Sequence, residues 1–156
     1  MIEIQLSNGG VAQIDDEDYA KVSCLTWFLS NKGYAIASTH VDGKIKNFYM
    51  HRLILDAANG EKSDHKNGDR LNNTRANLRI CTYTQNNMNL AKRKDCTSVQ
   101  KGVYWSKQKA KWHARIKLNG IAKHLGFFID EAEAGKAYNA AASQLFGSFA
   151  RLNAVS

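Results

Sequence analysis

Hydrophobic and polar residues alternate with a period of two through much of residues 1–50, a pattern typical of half-buried strands. Asn8–Gly10 and Asp42-Gly43 predict tight turns between these strands. A short helix is predicted at residues 15–22. The predicted strands lie at residues 2–6, 11–14, 33–40 and 44–50.

The alternation stops in residues 51–95. From Ser63 to Asn77 the chain is so rich in Asn, Asp and Gly that no regular element is predicted, whereas Leu78–Cys81 predicts a short strand. Thr82 and Gln85 have the spacing of a capping box, which predicts the start of a helix. The predicted helices lie at residues 51–58 and from Tyr83 to about Arg93.

The last stretch of the chain predicts three strands followed by one helix. Asn119-Gly120 predicts a hairpin turn between the second and third strands, and Asp130 and Glu133 form a second capping box. The strands are predicted at residues 102–105, 111–118 and 121–127. The helix carries a narrow stripe that could lie close on the sheet, made up of Ala134, Ala137, Ala141 and Leu145.

Composition excludes several classes of protein. Hydrophobic residues make up 44% of the chain and charged residues 23%, as in globular proteins. There is no run of about 18 apolar residues for a membrane span, and the sequence does not begin with a secretory signal. Three widely spaced cysteines suit a reducing compartment. We therefore expect a cytoplasmic protein without a membrane partner.

The positive charge is unevenly distributed. The formal net charge is +8, and residues 1–50 carry −2, residues 51–95 carry +4 and residues 96–156 carry +6. A basic excess confined to part of a chain is typical of proteins that bind nucleic acid. Solubility alone is the other interpretation of this charge.

The polar middle stretch contains side chains that suit phosphodiester hydrolysis. This reaction needs a base that takes a proton from water and a cation that neutralises charge on the phosphate. His65 can act as the base near neutral pH, and the oxygen ligands of Asp64 and Asn86 suit Mg²⁺ better than zinc. Asn77 can hydrogen-bond the loop that follows His65 and so hold the imidazole in place.

Over about residues 49–90, the chain resembles HNH endonucleases of the phage homing type. The resemblance rests on His51–Ile54, Asp64–Gly68, Asn72-Asn73, Asn77–Arg79 and Gln85-Asn86-x-x-Asn89. It implies a ββα-metal fold, in which two strands and a helix surround one divalent ion. It also implies that His65 is the general base, that Asp64 and Asn86 hold Mg²⁺ (with Mn²⁺ able to substitute), and that Asn77 is the orienting asparagine. The implied products carry 3′-hydroxyl and 5′-phosphate ends.

Other assignments remain open within this stretch. Asn86 stands at the third motif position in place of histidine, a variant that the homing type also shows. Asn87 and Asn89 are alternative ligands, and Asn86 could instead be a surface residue of its helix. His51 could be catalytic or could pack behind the site.

The strands predicted in the last stretch carry a basic face. In Lys111–Leu118, the odd positions are Lys, His, Arg and Lys, and the even positions are apolar or aromatic, so the two sets lie on opposite faces. A cationic sheet face can enter the major groove of DNA. Lys123 belongs to the same run of basic residues. A merely solvated face is the alternative.

Residues 101–153 resemble the Apetala-type DNA-binding domain of plant ethylene-response factors. The resemblance rests on Lys101–Tyr104, Lys111–Lys117, Leu125–Phe128, Ala132–Ala142 and Ala150–Asn153. It implies that the exposed face of a three-stranded sheet reads DNA. The implied contacts are Lys101, Tyr104, Arg115, Lys117 and His124, although several family arginines and tryptophans are replaced, so the resemblance implies no base preference.

The sequence thus predicts an α+β protein with three parts. Residues 1–50 form a β-rich segment, residues 51–95 an HNH ββα-metal nuclease core, and residues 96–156 a three-stranded antiparallel sheet packed on one helix. We expect a monomeric endonuclease that acts on double-stranded DNA with Mg²⁺ and no small-molecule cofactor, in the cytoplasm of a bacterial host if a phage encodes it. A sequence-specific DNA-binding protein with an inactive nuclease scaffold is the main alternative, and an RNA-directed protein is a third.

Overall fold

A computed structural model describes residues 1–92 and 96–155 of the chain. It divides into two compact units, Met1–Tyr83 and Thr84–Ser156. Within the described residues, ten strands form four small antiparallel sheets, accompanied by four α-helices. The predicted α+β class is therefore observed.

The first unit consists of three small sheets and two short helices. Sheets form from β1 with β2, from β3, β4 and β5 in that order, and from β6 with β7. A 3₁₀ turn at Asp16–Asp18 precedes the first helix. The elements are β1 (Ile2–Gln5), β2 (Val11–Ile14), α1 (Tyr19–Val22), β3 (Phe28–Leu29), β4 (Ala35–Val41), β5 (Lys44–Tyr49), α2 (Met50–Ile54), β6 (Lys62–His65) and β7 (Leu78–Cys81).

The predicted hairpins of residues 1–50 are confirmed, whereas the two-residue strand β3 was not predicted. The prediction of an irregular Ser63–Asn77 is wrong at its start, because Ser63, Asp64 and His65 belong to β6. Their polar side chains hide the strand in the sequence. Backbone pairing with β7 forms the strand, and this pairing depends on a partner more than ten residues away.

One hydrophobic core holds the first unit together. Trp27, Met50 and Ile54 are buried together with residues of β1–β2 and with Leu78 of β7. Burying side chains of this size stabilises the fold by about 1.5–3 kcal/mol each. The core contains side chains from residues 1–50 and also from later positions, such as Ile54 and Leu78. Residues 1–50 and the start of the HNH-like stretch therefore pack as one body.

The second unit contains the three-stranded sheet that the sequence predicts. The sheet has the order β10-β9-β8, and α4 packs on one of its faces. Helix α3 begins at Tyr83, as predicted, but ends at Asn89; the predicted end at Arg93 lies outside the described residues. The elements are α3 (Tyr83–Asn89), β8 (Val103–Ser106), β9 (Lys111–Leu118), β10 (Ile121–Phe128) and α4 (Glu131–Phe146).

Helix α4 is capped as predicted but buries a different stripe. Asp130 Oδ1 accepts a hydrogen bond from the backbone N–H of Glu133 at 3.0 Å. The buried positions are Ala134, Gly135, Tyr138, Ala142 and Phe146, while Leu145 of the predicted stripe is exposed. The aromatic rings of Tyr138 and Phe146 pack next to Ile116 of the sheet. Because these rings bury more apolar surface than the predicted alanine stripe would, the helix face that carries them packs on the sheet.

Within residues 1–92 and 96–155, no helix has both the length and the apolar character that crossing a bilayer requires.

Candidate active site

The β6–β7 hairpin places Asp64 opposite Arg79. Both side chains are nearly buried, at 8% and 11% exposure. Arg79 donates hydrogen bonds from Nε and Nη2 to Oδ2 of Asp64, at 2.9 and 2.6 Å. The carboxylate that the sequence predicts as a metal ligand is therefore held in place by its cross-strand partner.

His65, the last residue of β6, contacts an asparagine that the sequence analysis did not single out. Its Nε2 lies 3.2 Å from Oδ1 of Asn73, and both residues are buried. The Nδ2 group of Asn73 donates to the carbonyl of Leu71, which turns its Oδ1 towards the imidazole. The oxygen can only accept, so Nε2 carries the hydrogen in the neutral ring.

Asn77 ties together the loop that follows His65, as the sequence predicts. Its Oδ1 accepts from the backbone N–H of Asn67 at 3.0 Å, and its Nδ2 donates to the carbonyl of Asn72 at 2.7 Å. The backbone N–H of Lys66 bonds to the carbonyl of Asn77 at 2.8 Å. Asn77 thus acts on the loop backbone, while Asn73 contacts the imidazole.

Strand β2 anchors this loop from the N-terminal side. The backbone N–H of Gln13 donates to Leu71, and the backbone N–H of Asn73 donates to Gln13, at 2.8 and 2.7 Å. These two hydrogen bonds form a parallel β-bridge between Gln13 and Asn72, so the loop adds a short segment to the β1–β2 sheet. The residue that orients His65 is therefore held by the β-rich segment that precedes the HNH-like stretch.

His51 packs behind His65. The two ring centroids lie 4.9 Å apart with an edge-to-face geometry, and Tyr34 lies 5.2 Å from His51. Burial, with smaller effects of His65 and Arg52, lowers the pKa of His51 to about 3. Among the described residues, no hydrogen-bond partner reaches its buried Nδ1. His51 is therefore a neutral packing partner of His65.

Burial also lowers the pKa of His65 from its ordinary value. The hydrogen bond that His65 donates to Asn73 and the carboxylate of Asp64 oppose this shift, because both favour the charged ring. A lowered pKa keeps the imidazole neutral, and thus able to accept a proton, at neutral pH.

The predicted second metal ligand, Asn86, and its two alternatives, Asn87 and Asn89, all lie on α3. Asn86 is half-buried, Asn87 is exposed and Asn89 is buried. Within residues 1–92 and 96–155, no cluster of three or more His, Cys, Asp or Glu side chains could hold a metal.

Register places most of the predicted DNA contacts on one sheet face. Tyr104, Arg115, Lys117 and His124 lie on the face opposite α4, which we call the outer face, whereas Lys123 lies opposite the buried Ile116 and so projects from the α4 side. Lys101 precedes β8, and its ammonium donates to the carbonyl of Met88 at 2.6 Å. The geometry therefore does not support Lys101 and Lys123 as parts of the outer face.

Comparison with known proteins gives the family. The HNH endonuclease family profile matches residues 48–88. The Uncharacterized HNH endonuclease L560 of Acanthamoeba polyphaga mimivirus is 30% identical over 150 residues, which is 94% of this chain and 76% of that protein. The chain belongs to the HNH endonuclease family. The expected enzyme class, a nuclease, is confirmed at the level of this family.

Two further proteins are similar to parts of this HNH family member. Protein 3.8 of Escherichia phage T7 is 33% identical over 84 residues, or 48% of this chain and 69% of that protein. A solved structure that concerns DNA binding and cleavage by the HNH homing endonuclease I-HmuI is 24% identical, covers 53% of each chain and gives a TM-score of 0.33. A TM-score of this size does not establish a shared fold.

Sequence reasoning missed Asn73 and Arg79 as parts of the HNH site. Both residues stand within the motifs that carry the family resemblance, so the signal was present. Their roles depend on strand register and on a loop folded back onto β2, which the residue types alone do not specify.

Proposed function

We propose that this HNH family member is a metal-dependent endonuclease that cleaves double-stranded DNA in the manner of the homing type. One observation carries the proposal: His65 is buried beside Asp64, with its Nε2 occupied by Asn73, inside the segment that matches the family. A histidine fixed in this way is suited to take a proton from water, because its imidazole is already held in one orientation.

His65 acts as the general base. Asn73 holds the hydrogen on Nε2, and the ring of His51, packed edge-to-face, limits rotation of the imidazole. Asn77 keeps the loop that carries Asn73 closed through its two backbone contacts. These residues orient the base before DNA arrives, which removes a reorganisation cost from the chemical step.

Asp64 and Asn86 would hold Mg²⁺, and Mn²⁺ would substitute. The residues fit this ion chemically, because a carboxylate and an amide supply hard oxygen donors and leave positions for water and phosphate. When bound, the ion would neutralise charge on the phosphate and on the departing oxygen. The family match includes both residues. Arg79 would keep the Asp64 carboxylate oriented for this role.

The outer face would grip the DNA as an Apetala-type sheet does. Support comes from the three-stranded sheet with α4 on its far side and from the exposed, cationic positions Arg115 and Lys117. Cations at these positions can contact phosphates and guanine edges.

Incubation with supercoiled plasmid, with and without Mg²⁺, tests the activity. We expect conversion to nicked or linear DNA in Mg²⁺ or Mn²⁺, none in EDTA, and loss of conversion in Asp64→Asn. The Asp16→Asn variant removes an exposed carboxylate elsewhere in the first unit and is the matched control.

The main alternative is a DNA-binding protein with an inactive nuclease scaffold. It would leave plasmid intact over a broad range of metals and pH while still shifting duplex DNA on a gel. Intact plasmid together with a gel shift would contradict the proposed cleavage activity, while DNA binding by the outer face would remain supported. Competition between duplex DNA and RNA tests the RNA-directed alternative.

A further inference from the structure

Four rings form one contiguous aromatic cluster on the outer face of the sheet. They belong to Tyr104 on β8, His113 on β9, and His124 and Phe127 on β10. Each ring centroid lies 4.6–5.0 Å from that of its neighbour. Nε2 of His113 and Nδ1 of His124 are 2.6 Å apart, so these two rings share a hydrogen bond.

A β-bulge brings Phe127 to this face. Residues three apart on a regular strand point to opposite faces, but the register shifts between His124 and Gly126, so His124 and Phe127 both face outward. Gly126 adopts a φ of 142°, where a side chain would be strained, and a Cβ there would lie 3.0 Å from the Phe128 ring. The bulge thus redirects an aromatic ring outward, and Phe127 is 40% exposed.

The surroundings of the aromatic cluster are cationic. Arg115 lies over the ring of Tyr104 at 4.9 Å, and Lys111 and Lys117 are exposed on the same strand face. From Cys96 to Ile129 the sequence has seven basic residues and no acidic one. A partner that fits this surface carries negative charge and flat rings that can stack.

We propose that the aromatic cluster is a stacking surface for unpaired DNA bases. In a regular duplex the flat faces of the bases are covered by neighbouring pairs, and only their edges line the grooves. A sheet with exposed rings flanked by Arg and Lys instead matches the way single strands are held, with bases on the rings and phosphates on the cations. The inference rests on DNA as the proposed substrate and adds a preference for locally unpaired strands.

Fluorescence anisotropy with the full chain in EDTA tests the inference. The probes are a labelled single strand of twelve thymidines, called dT12 below, and a labelled duplex of mixed sequence. One stacked base contributes about 1–3 kcal/mol, so we expect Phe127→Leu to weaken dT12 binding about fivefold or more and duplex binding less than twofold. Phe127→Trp keeps a stacking ring and should restore dT12 binding. Tyr19→Leu removes an exposed ring in the first unit and is the matched control.

Equal weakening of both probes by Phe127→Leu, or no weakening of either, would overturn the stacking inference. Failure of Phe127→Trp to recover the affinity of Phe127→Leu for dT12 would also overturn it. Plasmid cleavage by the wild-type chain is measured in parallel. If the wild type cleaves plasmid but Phe127→Leu does not selectively weaken dT12 binding, the stacking inference fails and the proposed function stands. If the wild type neither cleaves plasmid nor binds either probe, both fail.

Discussion

Arg79 and Asp64 form the interaction on which the site depends most at the scale of single residues. A nearly buried carboxylate is costly without a partner, and the two hydrogen bonds from Arg79 offset that cost. A divalent ion held by Asp64, as proposed above, would repel the guanidinium of Arg79. Removing the guanidinium charge would therefore strengthen metal binding at Asp64.

Replacing Arg79 by Met should destabilise the metal-free protein by about 3–5 kcal/mol, because the buried carboxylate loses its countercharge. Urea unfolding measures this change. Mg²⁺ should then stabilise Arg79→Met more than the wild type. The double variant Asp64→Asn/Arg79→Met removes both charges and should recover most of the loss; a double variant as unstable as the single one would contradict this explanation.

Lys101 predicts a pH dependence of stability. Burial, with a smaller effect of Arg151, lowers its pKa to about 8, against 10.5 in the unfolded chain. Between these values the unfolded chain binds more protons, so raising the pH through this window stabilises the folded state through this residue. The free energy of unfolding of the wild type minus that of Lys101→Met should therefore grow from about pH 7.5 to about pH 9.5. A difference that stays flat, or that shrinks, would contradict the stated pKa.

At the scale of elements, the junction of β8, β9 and α4 has little spare space. Gly102 adopts a φ of 76°, and a Cβ there would lie 2.1 Å from the ring of Tyr138 and 2.8 Å from the carbonyl of Arg115. Asn153 Oδ1 accepts from the backbone N–H of Lys101, and its Nδ2 donates to the carbonyl of Lys101. These contacts fix where β8 starts relative to α4.

Gly102→Ala should destabilise the second unit by about 2–5 kcal/mol, the sum of overpacking against Tyr138 and a left-handed backbone at Ala. Thermal unfolding followed by far-ultraviolet circular dichroism measures the loss. Gly120→Ala also has a positive φ but meets no atom within 4 Å, so it should cost less. Equal losses in the two variants would show that the contact with Tyr138 contributes nothing.

The sequence predicted the elements that local rules determine. Asn119-Gly120 and Asp42-Gly43 marked the two long hairpins, and Asp130 marked the start of α4. The polar β6 was missed because its pairing with β7 depends on residues distant in the chain. Likewise, Asp64 and His65 were recognised from their chemistry and order. Asn73 was not, because its role requires a loop that folds back onto β2.

For the whole molecule, the distribution of charge predicts a salt-dependent grip on DNA. If the basic outer face and its surroundings neutralise about six phosphates, log affinity for duplex DNA should fall with log salt concentration at a slope of about −5. Arg115→Ala should make the slope shallower by about 1. Filter binding between low and moderate salt measures both values, and a flat response of the wild type would show that the outer face does not grip phosphates.

If His65 is the general base, removing its imidazole must slow the chemical step, and single-turnover cleavage at saturating DNA and Mg²⁺ measures that step alone. Loss of a general base costs about 10²- to 10⁴-fold in rate, so His65→Ala should slow cleavage by that factor and leave DNA affinity unchanged. His40→Ala, which removes an exposed histidine of β4, should cleave at the wild-type rate. Cleavage by His65→Ala at the wild-type rate would contradict the account.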